Sequence, residues 1–354
     1  MTDNAAHNLL GRELTTGWTV TKKLEKGDNQ TGSFFSVCYL VEKDGEVCFL
    51  KAFDFTKFLT IQPGSKIVDV MNDMLTAYQY ERDLSEHCRS KHVDKVAFVK
   101  VADEEVVTGY PITIVPYLIF DLAEGDVRKT LNLSSDLDYA WRFKSLHDIA
   151  IGIKQLHAIE VTHQDLKPSN ILVFNSGDKT KRESKLDDLG RSICRDIDGP
   201  YNKQAYTGDW TYAPPEMMYG YYEKDWLKRV FATDCYLLGS LICFYFTGIS
   251  MTALLRKHIP DSFGWEKWRG LYEEIIPYLE NAFSSALNEF ETNITRVELK
   301  KDLREIVSYL CNPFPEKRGH PVNVSMSGNN YNMERFVAKL DYLKLKAELN
   351  IKTS

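Results

Sequence analysis

The polar loop and apolar run from His163 to Val173 carry the most informative side chains of the chain. Asp165, Lys167 and Asn170 place a carboxylate, an ammonium and an amide in one short loop, and Asp188 adds a second carboxylate in a later Asp-Leu-Gly turn. Phosphoryl transfer requires oxygen ligands for a divalent cation, a lysine that balances phosphate charge and a carboxylate that faces a hydroxyl. The spacing therefore predicts a phosphoryl-transfer site.

The bulk composition is ordinary for a soluble globular protein. The chain has 354 residues, of which 44% are hydrophobic and 27% charged, and its net charge is −6. This length can bury one large core or two smaller ones. The absence of a basic excess argues against a dedicated nucleic-acid binder.

The cysteines and the N-terminus indicate the cellular compartment. The seven cysteines are scattered, odd in number and never spaced C-x-x-C, which is typical of reduced thiols rather than of disulfides or a zinc site. Met1 to Leu14 lacks a basic-then-apolar signal pattern. We therefore expect a cytoplasmic protein.

One uncharged stretch, Cys235 to Leu255, is long enough to span a membrane. It contains several polar and small residues, among them Gly239, Ser240, Thr247 and Gly248, and no second such segment follows. We expect a buried core helix and no membrane contact.

Hydrophobic patterning divides the chain into a β-rich first third and a helical remainder. Short β-branched or aromatic runs predict strands over Trp18–Leu24, Phe34–Glu42, Val47–Phe53 and Ile112–Leu122, with a Lys-Asp-Gly turn at Gly45. Between them, an apolar stripe of Met71, Met74, Leu75 and Tyr78 predicts one helix. A second stripe comprises Leu146, Ile149, Ala150, Ile153 and Leu156, and later helices are predicted over Thr233–Thr247, Trp265–Asn288, Arg296–Leu310 and Met333–Leu349. The fold class is α+β.

Further motifs flank the polar loop. Lys51 ends a strand, Glu81 extends the apolar stripe of the next helix, Pro214-Pro215-Glu216 follows Asp188, and Asp234 directly precedes the uncharged stretch. From about Trp18 to Tyr342, this order resembles a protein kinase catalytic domain of the eukaryotic-like serine/threonine type. Its divergent motifs are similar to those of compact bacterial or phage kinases.

The resemblance implies a bilobal fold, with a small β-rich N-lobe carrying one main helix and a larger α-helical C-lobe. The expected boundaries are an N-terminal flank at 1–17, the N-lobe at 18–123, the C-lobe at 124–342 and a C-terminal tail at 343–354.

The resemblance also implies a nucleotide site. Gly32 would be the central glycine of the hairpin over the ATP phosphates and Val37 the valine that contacts adenine, although Gln30 and Phe35 stand at the outer glycine positions. Lys51 would hold the α- and β-phosphates and pair with Glu81; Glu86 is the alternative partner.

Other residues would contact the adenosine. Phe120 is implied as the gatekeeper, backbone groups from Asp121 to Ala123 would contact adenine, and Asp126 would approach the ribose. Phe49 stands where the family usually has alanine, which leaves the shape of the pocket open.

The family roles of the polar loop follow in the same way. Asp165 would orient the acceptor hydroxyl and take its proton, and Lys167 would stabilise the moving phosphoryl group. Asn170 and Asp188 would bind Mg²⁺, with Mn²⁺ as an alternative cation. Gln164 replaces an arginine that reads a phosphate on the activation segment, so activity should not depend on that switch.

The activation segment would run from Asp188 to Glu216, and protein substrates would dock near Gly208–Glu216. Asp209 stands where a threonine usually contacts the catalytic loop, and Glu216 should pair with Arg318. The hydroxyls open to self-modification are those of Ser192, Tyr201, Tyr206, Thr207 and Thr211.

The favoured function is a protein kinase that transfers the γ-phosphate of ATP to serine or threonine hydroxyls and phosphorylates itself. The alternatives are a pseudokinase scaffold that binds nucleotide without transfer and a small-molecule kinase of the aminoglycoside or choline type. The sequence names neither the protein substrate nor the oligomeric state.

Overall fold

The structure is a computed structural model that describes residues 4–25, 36–57, 64, 66–133, 139–175, 182–326 and 329–353. Its N-terminal part is built on a five-stranded sheet with the order β1-β2-β3-β5-β4. The strands are β1 (Thr19–Lys23), β2 (Ser36–Lys43), β3 (Glu46–Phe53), β4 (Val99–Val106) and β5 (Ile114–Asp121). All of their pairings are antiparallel. Four of these strands confirm predictions, whereas β4 was missed.

The β2–β3 hairpin sets which face of the sheet each side chain occupies. Asp44 and Gly45 form its turn, both with positive φ, as the Lys-Asp-Gly pattern predicted. Cys48, Leu50 and Ala52 are fully buried on one face, so the period of two places Lys51 on the opposite face. The helix of the small lobe packs on the face that carries Lys51.

Helix α1 (Ile67–Ser90) is the predicted helix of the small lobe. Its buried positions include Met74, Tyr78 and Glu81, which share one face at helical spacing. Leu75 is exposed, so its place in the predicted stripe was wrong. The buried face instead continues to Glu81, which points toward the sheet.

The segment before β1 packs against the small lobe. Ala5, Ala6, Leu9 and Leu14 are buried in one cluster with residues of the sheet, and Tyr39 donates a hydrogen bond to the Ala6 carbonyl (2.7 Å). The predicted boundary at 17/18 stays a prediction, but the chain on both sides of it shares one core.

The C-terminal part is helical, with three small antiparallel pairings near the cleft. Its short strands are β6 (Gly125–Asp126), β7 (Val161–Thr162), β8 (Ile171–Phe174), β9 (Glu183–Leu186) and β10 (Ile193–Cys194). Its helices are α2 (Val127–Leu133), α3 (Tyr139–Ala158), α4 (Pro215–Met218), α5 (Trp226–Thr247), α6 (Met251–His258), α7 (Tyr272–Asn293), α8 (Val297–Leu310), α9 (Pro321–Ser325) and α10 (Glu334–Thr353). The predicted boundary at 342/343 falls inside α10.

Helix α5 is the centre of this lobe. Among the described residues it is the single helix whose length and apolar composition would suit a membrane span, and 83% of its most apolar window is buried in the protein. The prediction of a core helix is confirmed.

Two details of the α5 prediction were wrong. The helix begins at Trp226, because Asp225 caps it by accepting from the Lys228 N–H (3.2 Å); Asp234 therefore lies inside the helix. The uncharged stretch also forms two helices, because Gly248 ends α5 in the left-handed conformation and Ser250 caps α6.

A buried ion pair joins the end of the activation segment to the core. The Arg318 guanidinium donates to both oxygens of Glu216 at 2.5 Å, and its Nε donates to the Asn312 carbonyl (2.7 Å). Both side chains are almost fully buried. This confirms the predicted pair. Arg318 also donates to the Ala232 carbonyl of α5 (3.3 Å), so the pair holds α4 against α5.

Replacing Arg318 with alanine should destabilise the protein by about 3–5 kcal/mol, because Glu216 would keep a buried charge without a partner. Urea denaturation measures this change. Arg304→Ala is the matched control, since its bond to Glu291 (3.0 Å) is partly exposed and should contribute about 0–1 kcal/mol. Equal losses in the two variants would contradict the buried-pair interpretation.

Candidate active site

Lys51 connects the two lobes at the cleft. Its ammonium lies 2.8 and 2.9 Å from the two oxygens of Glu81 on α1 and 3.2 Å from Oδ1 of Asp188 in the large lobe. The predicted pairing with Glu81 is confirmed. The alternative partner, Glu86, is exposed and bonds Arg89 instead.

The Lys51 ammonium and the Asp188 carboxylate stabilise each other's charged forms, whereas burial, and then repulsion from Asp188, raises the pKa of Glu81. Burial alone would lower the pKa of Lys51, but Asp188 and Glu81 more than offset it and raise that pKa. The same ammonium lowers the pKa of Asp188. Lys51 is therefore charged and Asp188 ionised near neutral pH, as contacts to phosphate and to a metal ion require.

Asp165 lies at the centre of a hydrogen-bonded loop. Its Oδ1 accepts from the Asp209 backbone N–H (2.8 Å), and its Oδ2 accepts from Nδ2 of Asn170 (3.0 Å) and lies 3.1 Å from the Lys167 ammonium. Burial raises the pKa of Asp165, although Lys167 opposes the shift. A carboxylate with a raised pKa is better matched to accepting a proton from an alcohol.

Lys167 lies between two carboxylates. It contacts Asp165 and, at 3.3 Å, Oδ2 of Asp209. Burial alone would lower the pKa of Lys167, but these two anions outweigh it and the pKa is raised. The resemblance implied that position 209 contacts the catalytic loop, but the ion pair between Asp209 and Lys167 was not predicted.

Asn170 and Asp188 are brought together by strand pairing. Asn170 precedes β8 and Asp188 follows β9, which pair antiparallel, and the Asp187 N–H donates to the Asn170 carbonyl (2.9 Å). Asn170 directs its amide nitrogen at Asp165, and its Oδ1 lies 3.4 Å from the Ser169 hydroxyl. An amide oxygen and an ionised carboxylate are hard ligands that suit Mg²⁺.

Asp187 lies beside this pair but is engaged differently. Its carbonyl accepts from Nε2 of His163 (3.0 Å). Burial, and then repulsion from Asp188, raises the pKa of its side chain to about 7.

Asp234 of helix α5 fixes the backbone of the catalytic loop by accepting hydrogen bonds from it. Its fully buried carboxylate accepts the backbone N–H groups of His163 and Gln164, both at 2.8 Å. Nε2 of His157 lies 3.0 Å from the same carboxylate, a contact that sequence reasoning missed. Gln164 adopts a positive φ, a strained conformation that these bonds stabilise.

Of the residues assigned to adenosine, Phe120 is buried on the Lys51 face of the sheet, where it pairs with Phe49. The Phe49 and Phe120 rings lie 6.4 Å apart. Val37 pairs with Ala52 and packs in the cluster on the other face, so its side chain points away from Lys51 and the expected adenine contact was wrong.

Asp121 is exposed with its side chain near Lys100 (3.3 Å), which suits a role for its backbone only. Ala123 is half-buried.

The remaining residues assigned to the nucleotide are Asp126, for the ribose, and Gly32, for the phosphates. Asp126 accepts from the Lys129 N–H (2.8 Å) at the start of α2. Gly32, with Gln30 and Phe35, lies outside the described residues.

Comparisons with known proteins agree with this geometry. A family model described as the protein kinase domain matches residues 64–324. The chain is 31% identical over 132 residues to Aurora/IPL1-related protein kinase 2 of Caenorhabditis elegans, which covers 37% of this chain and 38% of that protein. It is 25% identical over 163 residues to human serine/threonine-protein kinase H2, covering 43% and 40%.

A third relative is serine/threonine-protein kinase DCLK1 of Rattus norvegicus, 33% identical over 105 residues, or 29% of this chain and 23% of that protein. The aligned parts thus span less than half the length of these relatives. Because the family model matches well over half of this chain, the chain belongs to the protein kinase domain family.

Replacing Asp234 with asparagine should loosen the catalytic loop. An amide offers one acceptor oxygen where the carboxylate offers two, so a buried N–H would lose its partner at a cost of about 1–3 kcal/mol. We expect a lower melting temperature and a lower kcat. Asp225→Asn in the same helix is the control, since asparagine caps a helix about as well as aspartate; wild-type kcat in Asp234→Asn would contradict this role.

Proposed function

We propose that this chain is an active ATP-dependent serine/threonine protein kinase. The observation that carries the proposal is the placement of Lys51 between Glu81 and Asp188, across the cleft from an Asp165 that is hydrogen-bonded in the catalytic loop. The arrangement supplies a cation for the phosphates, ligands for Mg²⁺ and a proton acceptor in one cleft.

In the proposed reaction each group has one role. Lys51 binds the α- and β-phosphates of ATP, and Mg²⁺ held by Asn170 and Asp188 would neutralise phosphate charge. Asp165 orients the acceptor hydroxyl and takes its proton as the γ-phosphoryl group moves to the oxygen. Lys167 stabilises the negative charge of the transferring group.

The acceptor class rests on the family and on the docking segment. The relatives named above include two serine/threonine-protein kinases. Gly208–Glu216 is held by the Glu216–Arg318 pair and presents Trp210, which is half exposed, to a substrate. We infer that protein substrates dock here, that autophosphorylation accompanies transfer, and that the protein works in the cytoplasm without contact to nucleic acid or membrane.

One observation favours the pseudokinase alternative. Phe49 occupies a position where the family usually carries a small residue, and its ring faces that of Phe120, which would narrow the adenine pocket. The intact set of Lys51, Asp165 and Asp188 favours transfer instead, since a scaffold has no use for a proton acceptor beside the metal ligands.

Asp165→Asn should reduce transfer by about 10²–10⁴-fold, the usual contribution of a positioned general base. Purified protein, labelled ATP and Mg²⁺ are incubated with a mixed peptide library and with the protein itself, and incorporation is measured. MgATP should raise the melting temperature of variant and wild type alike, because Asp165 does not bind the nucleotide.

The alternatives give different results in this assay. Nucleotide binding without incorporation in the wild type would indicate a pseudokinase. Labelling of an aminoglycoside or choline without labelling of peptide would indicate a small-molecule kinase.

A further inference from the structure

The activation segment lies directly on the catalytic loop. A Cβ at Gly208 would come within 2.1 Å of the Gln164 carbonyl oxygen, so only glycine permits this approach. The next residue, Asp209, donates its backbone N–H to Asp165. The segment and the catalytic loop therefore form one packed unit around the proton acceptor.

The Asp209 carboxylate is fully engaged in this unit. Oδ2 lies 3.3 Å from the Lys167 ammonium. Oδ1 accepts the N–H of Thr211 at 3.0 Å and its hydroxyl at 2.7 Å. A negative charge on the segment thus pairs with Lys167 of the catalytic loop, at a position where the family usually has an uncharged threonine.

Gln164 is not available to hold the segment. Its side-chain nitrogen donates to the Val230 carbonyl (2.8 Å) and lies 3.2 Å from Asp234. It is directed into α5 rather than toward the segment. The unmodified Asp209 contact is consequently the charged link between the two loops.

Three of the five hydroxyls considered for modification are buried and bonded. Ser192 lies 3.3 Å from the His163 carbonyl, Thr207 donates to the Arg191 carbonyl (2.6 Å), and Tyr206 lies 3.4 Å from the Asp209 carbonyl. Thr211, in contrast, is exposed. It is also the residue whose hydroxyl bonds Asp209.

We propose that phosphorylation of Thr211 switches this kinase off, an inference that rests on the proposed function. In the modification, Oγ1 of Thr211 bonds to the γ-phosphorus of ATP, the bond from that phosphorus to ADP breaks, and the hydroxyl proton passes to the base of the modifying kinase. The product carries about −1.5 to −2 charges at neutral pH.

That phosphate would disrupt the Asp209 contacts in two ways. It removes the hydroxyl donor from Oδ1 and places like charges side by side, which repel. Two cations lie beside the neighbours of Thr211: Arg128 beside Tyr212 and Lys167 beside Asp209. Drawing Lys167 toward the phosphate would withdraw it from the transferring group, so kcat should fall while the binding of ATP, which uses Lys51, is unchanged.

The test uses full-length protein with phosphoserine installed at position 211 by genetic code expansion, beside unmodified Thr211→Ser. We expect kcat for peptide phosphorylation to be at least about tenfold lower in the phosphorylated protein, a change of about 1.4 kcal/mol in the barrier. KM for ATP should be the same in both.

Two variants distinguish loss of the Asp209 charge from a general effect of removing a carboxylate from the segment. Asp209→Asn, which loses the charge that faces Lys167, should also lower kcat at constant KM for ATP. Asp198→Asn, an exposed position of the same segment, should be without effect. A phosphorylated protein as active as Thr211→Ser, or more active, would overturn the proposal.

Hydrogen exchange supplies a readout that does not need activity. The Asp209 amide, bonded to Asp165, should exchange faster in the phosphorylated protein than in Thr211→Ser, and equal protection would overturn the proposal. Transfer that is absent from the wild type and from Thr211→Ser alike would instead refute the proposed function, with the exchange result still deciding whether the phosphate releases the segment.

Discussion

The ammonium of Lys51 connects the two lobes, and the geometry of the cleft depends on it. Strand β3 carries Lys51 to two partners, Glu81 on helix α1 and Asp188 in the turn after β9. A one-residue slip of β3 would turn Lys51 to the other face of the sheet. The Asp44-Gly45 turn and the buried alternation of Cys48, Leu50 and Ala52 therefore fix the position of a site residue as well as a core.

In the large lobe, buried carboxylates fix the positions of the site residues. Asp234 orients the loop after His163 through backbone N–H groups, and Glu216 orients the segment from Gly208 to Glu216 through Arg318. Neither arrangement is an efficient source of stability, because desolvating charges is costly. Each instead specifies one conformation, since any other would leave a buried charge without a partner. Phosphoryl transfer, which relies on positioning and electrostatics, benefits from that specificity.

The parts of the site that the sequence predicted are those that local patterns or family motifs define. The loop from His163 to Asn170 is contiguous, so its residues had to lie together. Lys51 and Glu81 followed from a strand, a helix and the order between them. The missed features depend on tertiary contacts: Asp209 meets Lys167 across 42 residues, a proximity that no periodicity reveals.

The errors in the fold have similar causes. Strand β4 was missed because Asp103, Glu104 and Glu105 interrupt its apolar pattern, and an edge strand tolerates such charges. Residues 1–17 were predicted to be a flank outside the lobe, yet Leu9 and Leu14 pack in the small-lobe core. Helix α5 begins earlier than its apolar run because a capping aspartate, rather than hydrophobicity, sets the start.

The most direct test of the account is a crystal structure with Mg²⁺ and a non-hydrolysable ATP analogue. The account predicts a cation about 2.0–2.1 Å from oxygens of Asn170 and Asp188, the spacing Mg²⁺ prefers, and the Lys51 ammonium on the α- and β-phosphates while still bonded to Glu81. A nucleotide bound outside the cleft, or a cation that touches neither residue, would contradict it.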